Sequence, residues 1–369
     1  MTVMTAISDQ KVPKMAVQAI KGQLIEKAPK VVIYFASSNY DPQEISAAMQ
    51  DAFHDATVFG CTTSGEIISG KMTKGALVAM GFSADILEDI QVEIVPEIST
   101  EDHVADAFAA FSTHYGMPAI EFDPEKYVGL VICDGLSRAE EKIMDSIGNI
   151  TNVTFIGGSA GDDLKFASTY VFANGRAYTD AALLVLMKPK ASFDFIKTQS
   201  FYETGTKLIA TKVDEEKRVV MEFDHKPAIQ AYAEAVGQPQ VMADQSFMRR
   251  PLGLMVGDEP YVRSPQQVNN GSIVFYCNVK EGMEMSVLES TDIIADTTRV
   301  IKEKQQDKGE ILAILNFNCI LRTLQLESEG RMDKYGQIFT NIPTIGFSTY
   351  GEAYIGHINQ TATMLLFMK

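Results

Sequence analysis

Apolar residues in this chain gather into short continuous runs separated by polar, helix-like stretches. Val31-Val32-Ile33-Tyr34-Phe35, Tyr127 to Cys133, Ala182 to Met187, Ile311 to Phe317 and Thr363 to Phe367 are nearly unbroken apolar segments of strand length. Such runs mark strands buried on both faces. Between them lie amphipathic stretches. Asp41-Pro42 opens a helix through Phe53, with Asp as N-cap and Pro in the first turn. Further helices are expected over 101–115, 137–148, 224–236 and about 292–304, and a short one within residues 1–28, where Val17, Ile20, Leu24 and Ile25 share a face. Residues 190–224 read as a strand meander, and 237–270, rich in Gly, Pro, Gln and Asn, as loops and short strands. Strand, helix, strand in this order is the pattern of crossover connections.

One local pattern recurs. Val58-Phe59-Gly60-Cys61-Thr62-Thr63-Ser64-Gly65-Glu66 returns as Ile345-Gly346-Phe347-Ser348-Thr349-Tyr350-Gly351-Glu352, and a shorter relative is Phe155-Ile156-Gly157-Gly158-Ser159-Ala160-Gly161-Asp162. In each, an apolar run ends in a loop of glycines and hydroxyls closed by a carboxylate. Glycines let a backbone approach closely, and hydroxyls with backbone N–H groups can ring a small polar ligand. The competing reading is a set of tight turns whose Ser and Thr bond their own backbone. The second half also replays the first: Ser272–Tyr276 and Met283–Leu288 match Ala76–Gly81 and Ile90–Val95, and Ile311–Phe317 matches Tyr127–Cys133. The expected fold is therefore mixed α/β, internally repeated, with two similar lobes whose mixed sheets are flanked by helices. The expected division is an N-terminal helical extension over 1–29, a first domain over 30–188 and a second over 189–369.

Composition narrows the function. The 369 residues are 46% hydrophobic, enough for sizeable cores, and the net charge is −16 with no dense Lys/Arg stretch. That argues against nucleic acid and anionic membrane as partners. Cys61, Cys133, Cys277 and Cys319 are far apart, form no Cys-x-x-Cys and sit in apolar runs, which suits reduced thiols in a cytoplasmic protein. No apolar segment reaches transmembrane length.

Taken together, the residues resemble the FIST sensory family. Phe59 to Ile67, Ile156 to Asp163, Tyr170-Val171-Phe172 and Gly175-Arg176 are similar to its N-terminal part. Pro251-Leu252-Gly253, Tyr261-Val262-Arg263-Ser264-Pro265, Glu281-Gly282-Met283, Asn318-Cys319 with Arg322, Gly346-Phe347, Tyr350-Gly351-Glu352 and Asn359-Gln360-Thr361 are similar to its C-terminal part. The chain departs from the family's usual Cys-x-Gly-Arg, having Cys319-Ile320-Leu321-Arg322. The resemblance implies a bacterial signal-transduction module that binds a small, amino-acid-like ligand and regulates a separate histidine kinase, cyclase or chemoreceptor. Some stand-alone members of the NosP type are haem-binding nitric oxide sensors, which makes haem an alternative.

The candidate ligand-binding residues are Gly60, Cys61, Thr62, Thr63, Gly65, Glu66, Gly158, Ser159, Asp162, Cys319, Arg322, Ser348, Thr349, Tyr350 and Glu352. Arg322 is expected either to clamp a ligand carboxylate or to form a structural ion pair. The thiols at strand ends either line the site or act as small buried hydrophobes. Haem would need an axial ligand, for which His357 is nearest to the loops in sequence. Catalysis finds little support. There is no Gly-x-Ser-x-Gly elbow, Walker loop or His-Glu-x-x-His. An enzyme acting on an amino-acid-like substrate is the reading from another class.

Overall fold

The computed structural model describes residues 2–354 and 357–369, apart from the side chains of Lys27, His357 and Ile358. The class is mixed α/β, with mixed sheets flanked by helices. The chain forms two compact units. One comprises Met1–Thr198, Thr297–His357 and Ala362–Lys369, and the other Gln199–Asp296 with Ile358–Thr361. This division differs from a cut at 188/189, because the last third of the chain supplies three strands, Ile311–Cys319, Thr344–Thr349 and Thr361–Met368, to a sheet of the first unit. Residues 1–29 are not purely helical either. Val3–Ser8 is a strand paired antiparallel with Leu77–Phe82, ahead of the helix Pro13–Leu24. Its Val-Met-Thr-Ala-Ile-Ser sequence is too short and too mixed to stand out as a strand.

The first unit holds three six-stranded sheets built to one plan. Each centres on two parallel strands joined by a helical crossover: Val31–Ser37 with Thr57–Thr63, Val128–Cys133 with Phe155–Ser159, and Ile311–Cys319 with Thr344–Thr349. The first strand of each pair is flanked by an antiparallel strand, respectively Leu77–Phe82, Ala181–Pro189 and Thr361–Met368. The second strand is flanked by a short strand that comes from another sheet's segment of chain. Glu66–Ile68, which follows the pair of sheet one, joins sheet three. Val171–Ala173, which follows the pair of sheet two, joins sheet one. Glu352–Tyr354, which follows the pair of sheet three, joins sheet two. The exchange is cyclic and closed. The expected internal repetition is thus present, in a threefold form within one unit.

A glycine in each second parallel strand makes the equivalence plain. A methyl added at Gly60, Gly157 or Gly346 would overlap the carbonyl oxygen of Tyr34, Val131 or Asn316 on the neighbouring strand. Only glycine permits that approach. The inner faces of the sheets share one apolar core that includes Phe35, Phe59, Ile132, Ile156, Phe317, Phe347 and Leu365. Phe35 and Phe347 rings lie 4.6 Å apart, and Phe317 and Phe347 5.8 Å. Helices Pro13–Leu24 and Pro42–Ala52 cover the outer face of sheet one, and Val104–Tyr115 and Glu140–Ile150 that of sheet two. Asp41 caps its helix as expected, its Oδ1 accepting from the Glu44 N–H at 2.8 Å.

The second unit is an eight-stranded antiparallel sheet ordered Glu259–Arg263, Leu252–Val256, Glu284–Ser290, Phe201–Asp214, Val219–Phe223, Ser272–Phe275, Pro265–Asn269, with Lys226–Pro227 added beside Val219–Phe223. Helix Ala228–Val236 packs on it through Ile229, Tyr232 and Val236. This corrects the matching of Ser272–Tyr276 and Met283–Leu288 to Ala76–Gly81 and Ile90–Val95. Apolar runs of that length carry no information about strand direction, and of these three matches only that of 127–133 to 311–317 reflects a shared position.

Candidate functional site

The three glycine loops meet at the ends of the parallel strands and bond to one another in a ring. Ser64 N–H donates to Ser348 O at 3.2 Å, Tyr350 N–H to Ser159 O at 3.2 Å, and Gly161 N–H to Thr62 O at 3.0 Å. In return, Ser348 N–H donates to Gly65 O at 2.8 Å, Ser159 N–H to Gly351 O at 2.9 Å, and Thr62 N–H to Tyr170 O at 2.9 Å. Gly60, Cys61, Thr62, Thr63, Gly65, Glu66, Gly158, Ser159, Asp162, Ser348, Thr349, Glu352 and Cys319 are all buried, and Tyr350 is partly so. The sequence-predicted residues therefore come together as a packed hub whose polar groups largely satisfy each other. Thr349 Oγ1 donates to Gly351 O at 2.8 Å, and the Tyr350 hydroxyl bonds Asp162. A side chain at Gly158 would collide with Thr349.

Two ionisable groups in this hub need explanation. Glu66 is fully buried, with Thr63 Oγ1 donating to Oε1 at 2.5 Å and Ala76 N–H to Oε2 at 2.9 Å. Burial pushes its pKa up to about 8, although both hydrogen bonds work the other way. Arg322 is 2% exposed. Its Nε donates to Asn318 Oδ1 and its Nη2 to Thr297 Oγ1, both at 3.0 Å, and the guanidinium sits 6.0 Å from the centre of the Tyr335 ring. Burial raises the Tyr335 phenol, Arg322 acts against that, and Glu352 acts with it. Arg322 and Asn316 both lie beside Tyr335. Thr323 and Ser348 hydroxyls are 2.7 Å apart, and Asn316 Nδ2 donates to Tyr335 at 3.2 Å.

Open space adjoins the hub at the carboxyl end of the first parallel pair, where open α/β sheets hold ligands. A cavity of about 140 Å³ is lined by Ser38, Tyr40, Thr62, Asp162, Lys165 and Tyr170, among others. Lys165 Nζ donates to Ser38 Oγ and Asn39 Oδ1, each at 3.1 Å. Burial opposes ionisation of Asp162. The Tyr350 hydroxyl and the N–H groups of Ala167, Ser168 and Phe166 outweigh it and hold the carboxyl below the usual range. Asp163 accepts from Ser38 Oγ at 2.9 Å. Of the predicted residues, Thr62 and Asp162 reach this cavity. Ser38, Lys165 and Tyr170 escaped sequence reasoning, although Ser37-Ser38-Asn39 is a recognisable polar strand end.

Cys61 and Cys133 are poorly placed for thiolate chemistry, and the four described histidines for haem ligation. Burial pushes the Cys61 and Cys133 thiols well up, opposite to what a thiolate nucleophile needs. His54, His103, His114 and His225 are exposed or partly exposed, and the first three pair with carboxylates, so none offers an axial ligand in an apolar slot. The side chain of His357 lies outside the described residues. Among the described residues, no helix is long and apolar enough to cross a membrane.

The sequence profile of the FIST N domain matches residues 30–226, and that of the FIST C domain matches 228–354. A protein of Methanocaldococcus jannaschii named "Uncharacterized protein MJ1623" is 27% identical over 216 residues, covering 54% of this chain and 41% of that protein. The chain thus spans less than half the length of that relative.

Proposed function

Since the chain belongs to the FIST family, whose domains are signal-transduction sensory modules for small ligands, we propose that it senses a small amino-acid-like zwitterion in the Lys165 cavity and regulates a separate signalling protein such as a histidine kinase or cyclase. The observation that carries this reading is the juxtaposition, at a strand-end cavity, of a cation and a fixed anion. Lys165 supplies a point charge for a carboxylate, and Asp162, with the hydroxyl groups of Ser38 and Thr62, suits an ammonium. A space of about 140 Å³ holds roughly five waters at their liquid volume, the scale of a small amino acid. Asp162 also bonds the Tyr350 hydroxyl, so occupancy is felt at the third glycine loop.

The test is calorimetric titration with the standard amino acids. At least one is expected to bind, and Lys165→Ala is expected to weaken it by about 1–3 kcal/mol without changing the melting temperature, since Lys165 is exposed. Unchanged affinity in that variant, or no binding by any amino acid, overturns the reading.

A further inference from the structure

We infer that Arg263, in the second unit, anchors a binding site for a small carboxylate. Arg263 ends the strand Glu259–Arg263 and pairs with Leu252, with which it shares a face of the sheet. Leu252 is wholly buried, in the same apolar core as Tyr232 and Phe247. The guanidinium follows it inward. Its Nε and Nη1 are shut off from solvent and, among the described residues, have no hydrogen-bond partner. The side chain as a whole is only partly buried, so it is approachable from outside.

The neighbouring arginines behave differently. Arg250 pairs through Nε with Glu289 at 2.6 Å and through Nη1 with the Val236 carbonyl at 2.9 Å. Arg218 Nη1 donates to the Tyr276 carbonyl at 2.8 Å. The setting of Arg263 is otherwise well bonded. The next residue, Ser264, is buried and its Oγ donates to Gln360 Oε1 at 3.1 Å, while Gln360 Nε2 donates to Met248 O at 2.8 Å and Tyr276 N–H donates to Ser264 O at 3.0 Å. Beside this bonded segment, two nitrogens of the Arg263 guanidinium have no hydrogen-bond partner among the described residues. A guanidinium cannot shed its proton, and a buried unpaired charge is unfavourable by an amount that a folded domain does not ordinarily leave uncompensated. The donors present a planar, delocalised cation, which matches a carboxylate in shape and charge. The site is separate from the Lys165 cavity and stands whether or not that cavity binds an amino acid.

The experiment is thermal unfolding of the full chain in a zwitterionic buffer at constant ionic strength, with chloride replaced stepwise by acetate, succinate, glutamate or phosphate. The parent protein is expected to gain several degrees, saturably, with at least one carboxylate. Arg263→Met is expected to melt no lower than the parent in chloride and to lose the carboxylate response, because it removes an unpaired charge. Arg263→Lys is expected to keep the fold and bind about tenfold or more weakly, a change of about 1.4 kcal/mol. A parent protein indifferent to all carboxylates overturns the proposal, as does Arg263→Met melting well below the parent in chloride. A response to phosphate alone overturns the assignment to carboxylates.

Discussion

Arg322 and Arg263 are two inward-facing guanidiniums placed in opposite circumstances. Arg322, in the first unit, is ringed by Asn318, Thr297 and Tyr335 within a fully buried polar cluster. Arg263, in the second unit, has two nitrogens closed to water and no partner for them among the described residues. From sequence, Arg322 is the natural candidate for a ligand clamp, since it follows a strand end near Gly351-Glu352. Two of its nitrogens are engaged by the neutral protein groups Asn318 and Thr297. A buried charge that the protein satisfies holds the fold together, whereas one that it leaves unsatisfied calls for something from outside.

The sharpest way to break this comparison is Arg322→Ala. It leaves Asn318, Thr297 and Tyr335 buried with unmet polar groups, and is expected to destabilise the first unit by about 3–5 kcal/mol in denaturant unfolding. A loss below about 1 kcal/mol would put Arg322 in the same class as Arg263. Glu66 supplies an intermediate case, in which a buried acid is settled by a proton. Its carboxyl titrates near 4.5 when unfolded and near 8 when folded. Between those values the folded state holds a proton that the unfolded chain has lost, so stability is greatest at low pH and falls as pH rises toward 8. The span is on the order of a few kcal/mol, and Glu66→Gln is expected to flatten it. A parent profile already flat between pH 5 and 8 would show that Glu66 is ionised. The smallest effect is expected from Thr323→Val, which removes the hydroxyl joining Asn318 to Ser348 and should lower stability by about 1–2 kcal/mol while leaving amino-acid affinity unchanged.

Much of this arrangement was legible in the residues, and the reasons differ from element to element. The recurrence of Gly60, Gly157 and Gly346 is readable because a steric demand at one place in a repeated sheet forces the same residue each time. The first strand of each parallel pair is readable because strands covered on both faces are largely apolar. The hairpin exchange is not, since Glu66–Ile68, Val171–Ala173 and Glu352–Tyr354 are three-residue strands whose partners lie far away in sequence. The second unit was hard to read because Phe201–Asp214 is mostly exposed and lacks alternation. Lys165 and Arg263 were missed because a single cation in a polar segment looks like any solvated residue. Burial gives Arg263 its meaning, and burial of two nitrogens is a property of the fold.

The cyclic exchange of hairpins also sets an order of events during synthesis. Glu66–Ile68 leaves the ribosome long before Thr344–Thr349, the strand it must lie beside. At roughly 5–20 residues per second, that wait is on the order of ten seconds to a minute. Throughout it, the nascent chain carries a short strand with no host, and for the first part of it sheet one also awaits Val171–Ala173. The ring closes only when Glu352–Tyr354 reaches sheet two, after both other exchanged strands have been made. Any nascent chain halted before that point exposes unpaired strand edges, the feature by which chaperones and aggregation both recognise an unfinished protein.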